Sequence, residues 1–161
     1  MAGNRKISEL VPLGGLQVDP ETDVVAIVDV SNEETKKISI SALRTSLLSD
    51  IYDIAVFLPG FPPPDRLLAG IMIPRTVTFP ANFGDSRAMA EGPAAASTVL
   101  KIKRSGIEVG TLTFGIGQTG GSFSGSAVTF APGTRLEIHG PAALDMTLRD
   151  ISITLKGTRA S

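Results

Sequence analysis

The chain has 161 residues, enough for one ordinary domain plus an extension. Hydrophobic residues make up 42% and charged residues only 19%, so a packed core is possible. The net charge is −1 with no block of like charges, which argues against nucleic-acid binding, usually marked by a basic stripe, and against a polybasic membrane anchor.

There is no Cys, so disulfides and thiolate metal sites are excluded, and His139 is the single histidine. Gly (17) and Pro (11) are plentiful, as in folds with many turns. No apolar run approaches the ~18 residues of a membrane span. Arg5 and Lys6 are not followed by an apolar stretch, so no secretory signal is expected.

The first part, residues 1–49, begins with Lys6-Ile7-Ser8-Glu9-Leu10 and a Gly14-Gly15 break. An apolar strand is predicted over Val24–Val30, a polar turn at Ser31-Asn32-Glu33-Glu34, and a returning strand over Thr35–Ile40. Ser41 is a candidate N-cap for a short helix over Ala42–Leu48, with Leu43, Leu47 and Leu48 roughly on one face. A lone hairpin and a two-turn helix are each marginal in water. This part is therefore either a flexible tail or an arm that orders against a partner. The residues expected to make that contact are Ile7, Leu10, Val24, Val25, Ile27, Ile38, Leu43 and Leu47.

The second part, residues 50–161, has no credible long helix. Strands are predicted at Tyr52–Leu58, Arg66–Ile73, Thr76–Phe79, Thr98–Lys103, Ile107–Phe114, Ser122–Ser124, Ala127–Phe130, Arg135–His139 and Asp150–Lys156, with Gly and Pro signals between them. Leu100 and Ile102 alternate with Lys101 and Lys103; Ile151, Ile153 and Leu155 alternate with Ser152 and Thr154. Ser105-Gly106 fits a tight hairpin turn. Val109 is out of phase with Leu112 and Phe114, and Gly110 between them suggests a bulge. The expected fold class is all-β: an antiparallel, jelly-roll-like β-sandwich preceded by an extended arm with a small hairpin and short helix.

Chemical signatures are weak. Gly115-Ile116-Gly117-Gln118-Thr119-Gly120 matches a phosphate-loop pattern, but Gly121-Ser122-Phe123-Ser124 after it is no helix, so a glycine-rich turn is the better reading. Asp19, Glu21 and Asp23 have the spacing of calcium ligands, yet Val24 and Val30 stand where a calcium loop needs Gly and Glu, which favours a solvated acidic turn. His139 shares strand parity with Arg135 and Glu137, so a surface position is expected. An Asp85–Glu91 acid–base pair has nothing special to support it. Lys101, Lys103 and Arg104 read as a charged sandwich face, or as a salt bridge to an acidic neighbouring subunit. Phe57, Phe61, Phe79, Phe83, Phe114, Phe123 and Phe130 are mostly core candidates. No catalytic, cofactor or metal residue is assigned, and no enzymatic activity is expected.

Two stretches carry a resemblance. Lys6-Ile7-Ser8-Glu9-Leu10, Asp23-Val24-Val25-Ala26-Ile27-Val28-Asp29 and Thr35-Lys36-Lys37-Ile38-Ser39 resemble the N-terminal attachment segment of bacteriophage appendage proteins, among them head fibres, head decoration (cement) proteins and tail fibres. Tyr52-Asp53-Ile54-Ala55-Val56-Phe57-Leu58-Pro59-Gly60, Val77-Thr78-Phe79-Pro80, Ala95-Ala96-Ser97-Thr98 and residues 150–159 resemble a β-domain at the C-terminus of such proteins. These are soft patterns of apolar and turn residues, and together they cover most of the chain.

The resemblance implies a homotrimer on the outer surface of the virion, assembled in the host cytoplasm. Its partner through the arm would be the major capsid protein or another virion protein. No cofactor, nucleic acid or membrane is expected. The shortness of the chain, an anchor and one domain without fibre repeats, favours capsid decoration. The alternative is a tail-fibre or baseplate appendage whose β-sandwich binds a host glycan.

Overall fold

The computed structural model describes residues 19, 21–29, 34–47 and 50–159. The chain divides into two compact units, Met1–Ser49 and Asp50–Ser161.

In the first unit, strands β1 (Val24–Asp29) and β2 (Glu34–Ser39) pair antiparallel from Val24↔Ser39 to Asp29↔Glu34. Helix α1 spans Ile40–Leu47. It starts two residues earlier than the sequence suggests, because Ser39 and not Ser41 is the cap. The Ser39 hydroxyl accepts the Ala42 N–H at 3.2 Å, which makes Ile40 the first helical residue. The Ser41 hydroxyl lies 3.1 Å from that of Ser39. Val30, Leu48 and the predicted turn residues Ser31, Asn32 and Glu33 fall outside the described residues.

The second unit is an all-β sandwich of two five-stranded antiparallel sheets. Its strands are β3 (Ile51–Leu58), β4 (Leu67–Met72), β5 (Val77–Phe79), β6 (Arg87–Ala90), β7 (Thr98–Arg104), β8 (Ile107–Phe114), β9 (Gly121–Gly125), β10 (Val128–Phe130), β11 (Arg135–His139) and β12 (Ile151–Arg159). One sheet runs β10-β5-β12-β3, with β6 also paired to β12; the other runs β4-β11-β7-β8-β9. Leaving out β6 and β9, the two orders interlace as in a jelly roll, each sheet drawing alternately on early and late strands. The nine predicted strands are all present. β6 is additional.

Alternation builds the core. Ile54 and Leu58 of β3 and Ile151, Ile153 and Leu155 of β12 point inward from one sheet. Leu100, Ile102, Leu112, Phe114, Leu136 and Ile138 meet them from the other. Phe79 packs edge-on against Phe130 at 5.4 Å and touches Phe83 at 5.7 Å. Phe83 reaches Phe123 at 6.0 Å. Phe57 and Phe61 do not join this core; they are 59% and 43% exposed, since the alternation that buries Ile54 and Leu58 turns Phe57 outward.

The hairpin between β7 and β8 turns on Ser105 and Gly106, both at positive φ. Ile102 pairs with Gly110 but Lys103 with Glu108, so Val109 is the extra, bulged residue. Gly110 itself answers to packing: a Cβ there would lie 2.5 Å from the Phe83 ring and 2.7 Å from the Ser124 carbonyl.

Candidate functional site

The predicted contact residues of the arm divide as follows. Val24 and Val25 are 54% and 38% exposed, while Ile38 and Leu43 are half-buried. Val25 stands directly opposite Ile38, and Val24 opposite Ser39. Ile27 pairs with Lys36 in the ladder. Ile7 and Leu10 and the side chains of Ile27 and Leu47 fall outside the described residues. Among the described side chains of this unit none is fully buried. Backbone pairing and local polar contacts hold the hairpin base. The Asp23 N–H donates to the Asp19 carbonyl at 2.8 Å, and the Ile40 N–H to the Asp23 carbonyl at 3.2 Å. The Asp19 carboxylate accepts the Glu21 N–H at 3.0 Å; that bond and the Thr22 side chain hold its carboxyl below the ordinary range. The Asp23 carboxylate accepts the Asp19 N–H at 2.9 Å. These carboxylates serve the turn, and no metal-binding group of three or more side chains occurs among the described residues.

On the sandwich, the crossover from β11 to β12 and the stretch before β7 enclose a groove of about 480 Å³. Its exposed apolar lining includes Val99, Leu144 and Met146. Asp145 anchors both walls. Its carboxylate accepts the Ala95 N–H at 2.9 Å, the Thr98 hydroxyl at 2.9 Å, the Thr147 N–H at 2.9 Å and hydroxyl at 2.8 Å, and the Leu148 N–H at 3.1 Å. Burial opposes the ionised form, but these donors outweigh it and hold the carboxyl far below the usual range. With its lone pairs occupied, Asp145 acts as a clamp. Its role was not among the expectations drawn from the sequence. The signal was Asp145-Met146-Thr147, an acidic residue two before a threonine, the pattern of a side-chain-closed turn.

The outer face of β11 carries a second polar node. Glu137 is 3% exposed although its parity points it away from the core. Arg135 Nε donates to Glu137 Oε1 at 2.8 Å, and His139 Nε2 lies 2.9 Å from Oε2. His139 first and Arg135 second hold the Glu137 carboxyl below its ordinary value of 4.5. His139 is therefore not the free surface residue expected from its parity: its side chain is 18% exposed and tied to Glu137. Lys103 stands opposite Glu137 in the ladder. Lys101 lies 3.6 Å from Asp65, and Arg104 donates to the Thr129 carbonyl at 2.8 Å, so two of the three basic residues near the turn have partners within the chain.

The remaining candidates separate. Asp85 pairs with Lys156 Nζ at 2.7 Å, and Glu91 lies beyond the other end of β6. The Gly115–Gly120 stretch is a turn with Gly117 at positive φ, followed by strand β9 and not by a helix N-terminus. No protein-family model and no curated protein matches the chain.

Proposed function

We propose that this chain is a structural component of a bacteriophage particle: a homotrimeric capsid decoration, or cement, protein of the head-fibre kind. The arm docks on the major capsid protein or another virion protein, and the jelly-roll unit stands on the outer surface. The observation that carries the reading is the first unit itself. Its described residues form a two-stranded hairpin and a two-turn helix in which no described side chain is fully buried and Val24 and Val25 remain exposed. Such a unit gains stability by covering its apolar residues with another surface. A protein that binds only the assembled shell stabilises the shell by linkage. The resemblance of both parts to phage appendage proteins supplies the partner.

The glycan-binding alternative receives less support from the groove. Its lining is small and aliphatic, without an aromatic ring for a sugar face, and the one carboxylate in it is occupied by protein donors.

Copy number in purified particles tests the proposal. Decoration requires copies on the scale of the shell's own subunits, spread over the head surface in a reconstruction. A handful of copies confined to a tail overturns it.

A further inference from the structure

We propose that β3 is an interface strand that pairs antiparallel, about a two-fold axis at Ile54, with β3 of a second copy of this chain. The inference stands on the geometry of the sandwich and does not rest on the virion reading.

A sheet edge presents unpaired N–H and C=O groups, and natural edges are blunted by shortness, bulges, glycine, proline or charge. Most edges of this sandwich follow that rule. β10 has three residues, and β9 is bounded by Gly121 and Gly125. In β4 the register slips where Ile138 pairs with Ala69 but His139 with Leu67, and Gly70 lies within the strand. β3 has only the last of these devices, in a single residue. Among the described residues its one ladder neighbour is β12, with which it keeps an unbroken register over eight pairs. It contains no Gly or Pro and one charged residue, Asp53. Its outward face carries Ile51 and Phe57, 61% and 59% exposed.

The sequence of β3 selects a copy of itself. A two-fold antiparallel pair keeps outward residues opposite outward residues only when paired residue numbers add to an even sum. Pairing Asp53 with Asp53 of the second copy sets like charges face to face. Centring on Ala55 brings Phe57 against Asp53 and leaves Ile51 beyond the overlap. Centring on Ile54 sets Asp53 opposite Ala55, Tyr52 opposite Val56 and Ile54 opposite its own copy, and it lays Phe57 over the side chain of Ile51 at both ends. The ladder then needs only residues 52–56, and Ile51 takes part through its side chain. The Asp53 carboxylate stays beside Lys156, its cross-strand neighbour on β12.

Sedimentation equilibrium of the full chain, at concentrations up to roughly 200 µM, reads the pairing. The wild type is expected to shift towards twice the mass of its smallest species; a three-fold assembly through other surfaces would double in the same way. Ile51→Glu and Phe57→Lys should each raise the dissociation constant about tenfold or more. Combined in one chain they should restore association, because the new carboxylate and ammonium face each other at both ends. A wild-type mass independent of concentration, or a double variant as weak as the singles, overturns the proposal. Cysteine pairing supplies a readout independent of affinity, since the chain has no Cys. A mixture of Asp53→Cys and Ala55→Cys chains should form mixed disulfide dimers faster than either chain alone. Equal rates overturn the register.

Discussion

The Asp145 carboxylate accepts the Thr98 hydroxyl at 2.9 Å across 47 residues of sequence, tying the β11–β12 crossover to the first residue of β7. The same carboxylate also receives backbone N–H groups from both sides, so the crossover is held at a single acidic residue. Asp145→Ala leaves those donors without an acceptor in a buried place. The expected loss is about 3 kcal/mol, a drop of roughly 10 °C in Tm, read by thermal denaturation. A change below about 2 °C would mean that water replaces the carboxylate at no cost.

Acid should weaken the fold through two residues in particular. Asp145 and Glu137 have folded-state pKa values below their ordinary 3.8 and 4.5. The unfolded chain therefore takes up their protons first on acidification. Their contribution is fully present at neutral pH, and it is lost as pH falls through 4.5 and 3.8 towards the folded values. Urea unfolding at pH 7 and pH 3 should show the stability gap between wild type and Asp145→Asn narrowing at the lower pH. A gap that stays constant would contradict this assignment.

Periodicity made most of the sandwich legible before the structure. Leu100/Ile102 and Ile151/Ile153/Leu155 mark strands whose inward faces the structure buries. β6 escaped because Arg87-Ala88-Met89-Ala90 lacks β-branched residues; what places it is its ladder with β12 from Ala90↔Ile151 to Arg87↔Thr154. Parity gave the correct face for His139, shared with Glu137, and the wrong exposure. Burial on an outer sheet face depends on neighbours such as Arg135 and His139 lying over it, and strand alternation carries no information about that. The helix cap moved from Ser41 to Ser39 because either serine satisfies the sequence rule, and the end of β2 decides between them. The jelly-roll order was expected only as a class, since pairings such as β3 with β12 join opposite ends of the unit.

Gly110 shows how a residue read as a bulge marker can serve packing. A Cβ at that position meets both the Phe83 ring and the Ser124 carbonyl. Gly110→Ala should cost about 2–3 kcal/mol, measured by denaturant unfolding. Phe83→Leu in the same chain should not recover the loss, because the clash with the backbone of β9 remains and the Phe79–Phe83–Phe123 contacts are lost as well. Full recovery would place the whole cost on the ring.

The arm makes the opposite prediction: substitutions there should spare the fold and damage assembly. Val25 and Ile38 face each other across the β1–β2 ladder, and Val25 is exposed. Val25→Asp places a charge where the proposed shell contact would bury an apolar side chain, at a cost of about 2–3 kcal/mol of binding, or roughly 30-fold or more in affinity. The melting of the jelly-roll unit should not move, because among the described residues its core draws only on residues after Asp50. Purified shells lacking this protein, incubated with wild-type or variant chain and then pelleted, give the measurement. Wild type should saturate the shells while Val25→Asp stays in the supernatant. Equal pelleting of the two would remove Val25 from the contact, and failure of the wild type to pellet would remove the shell as partner.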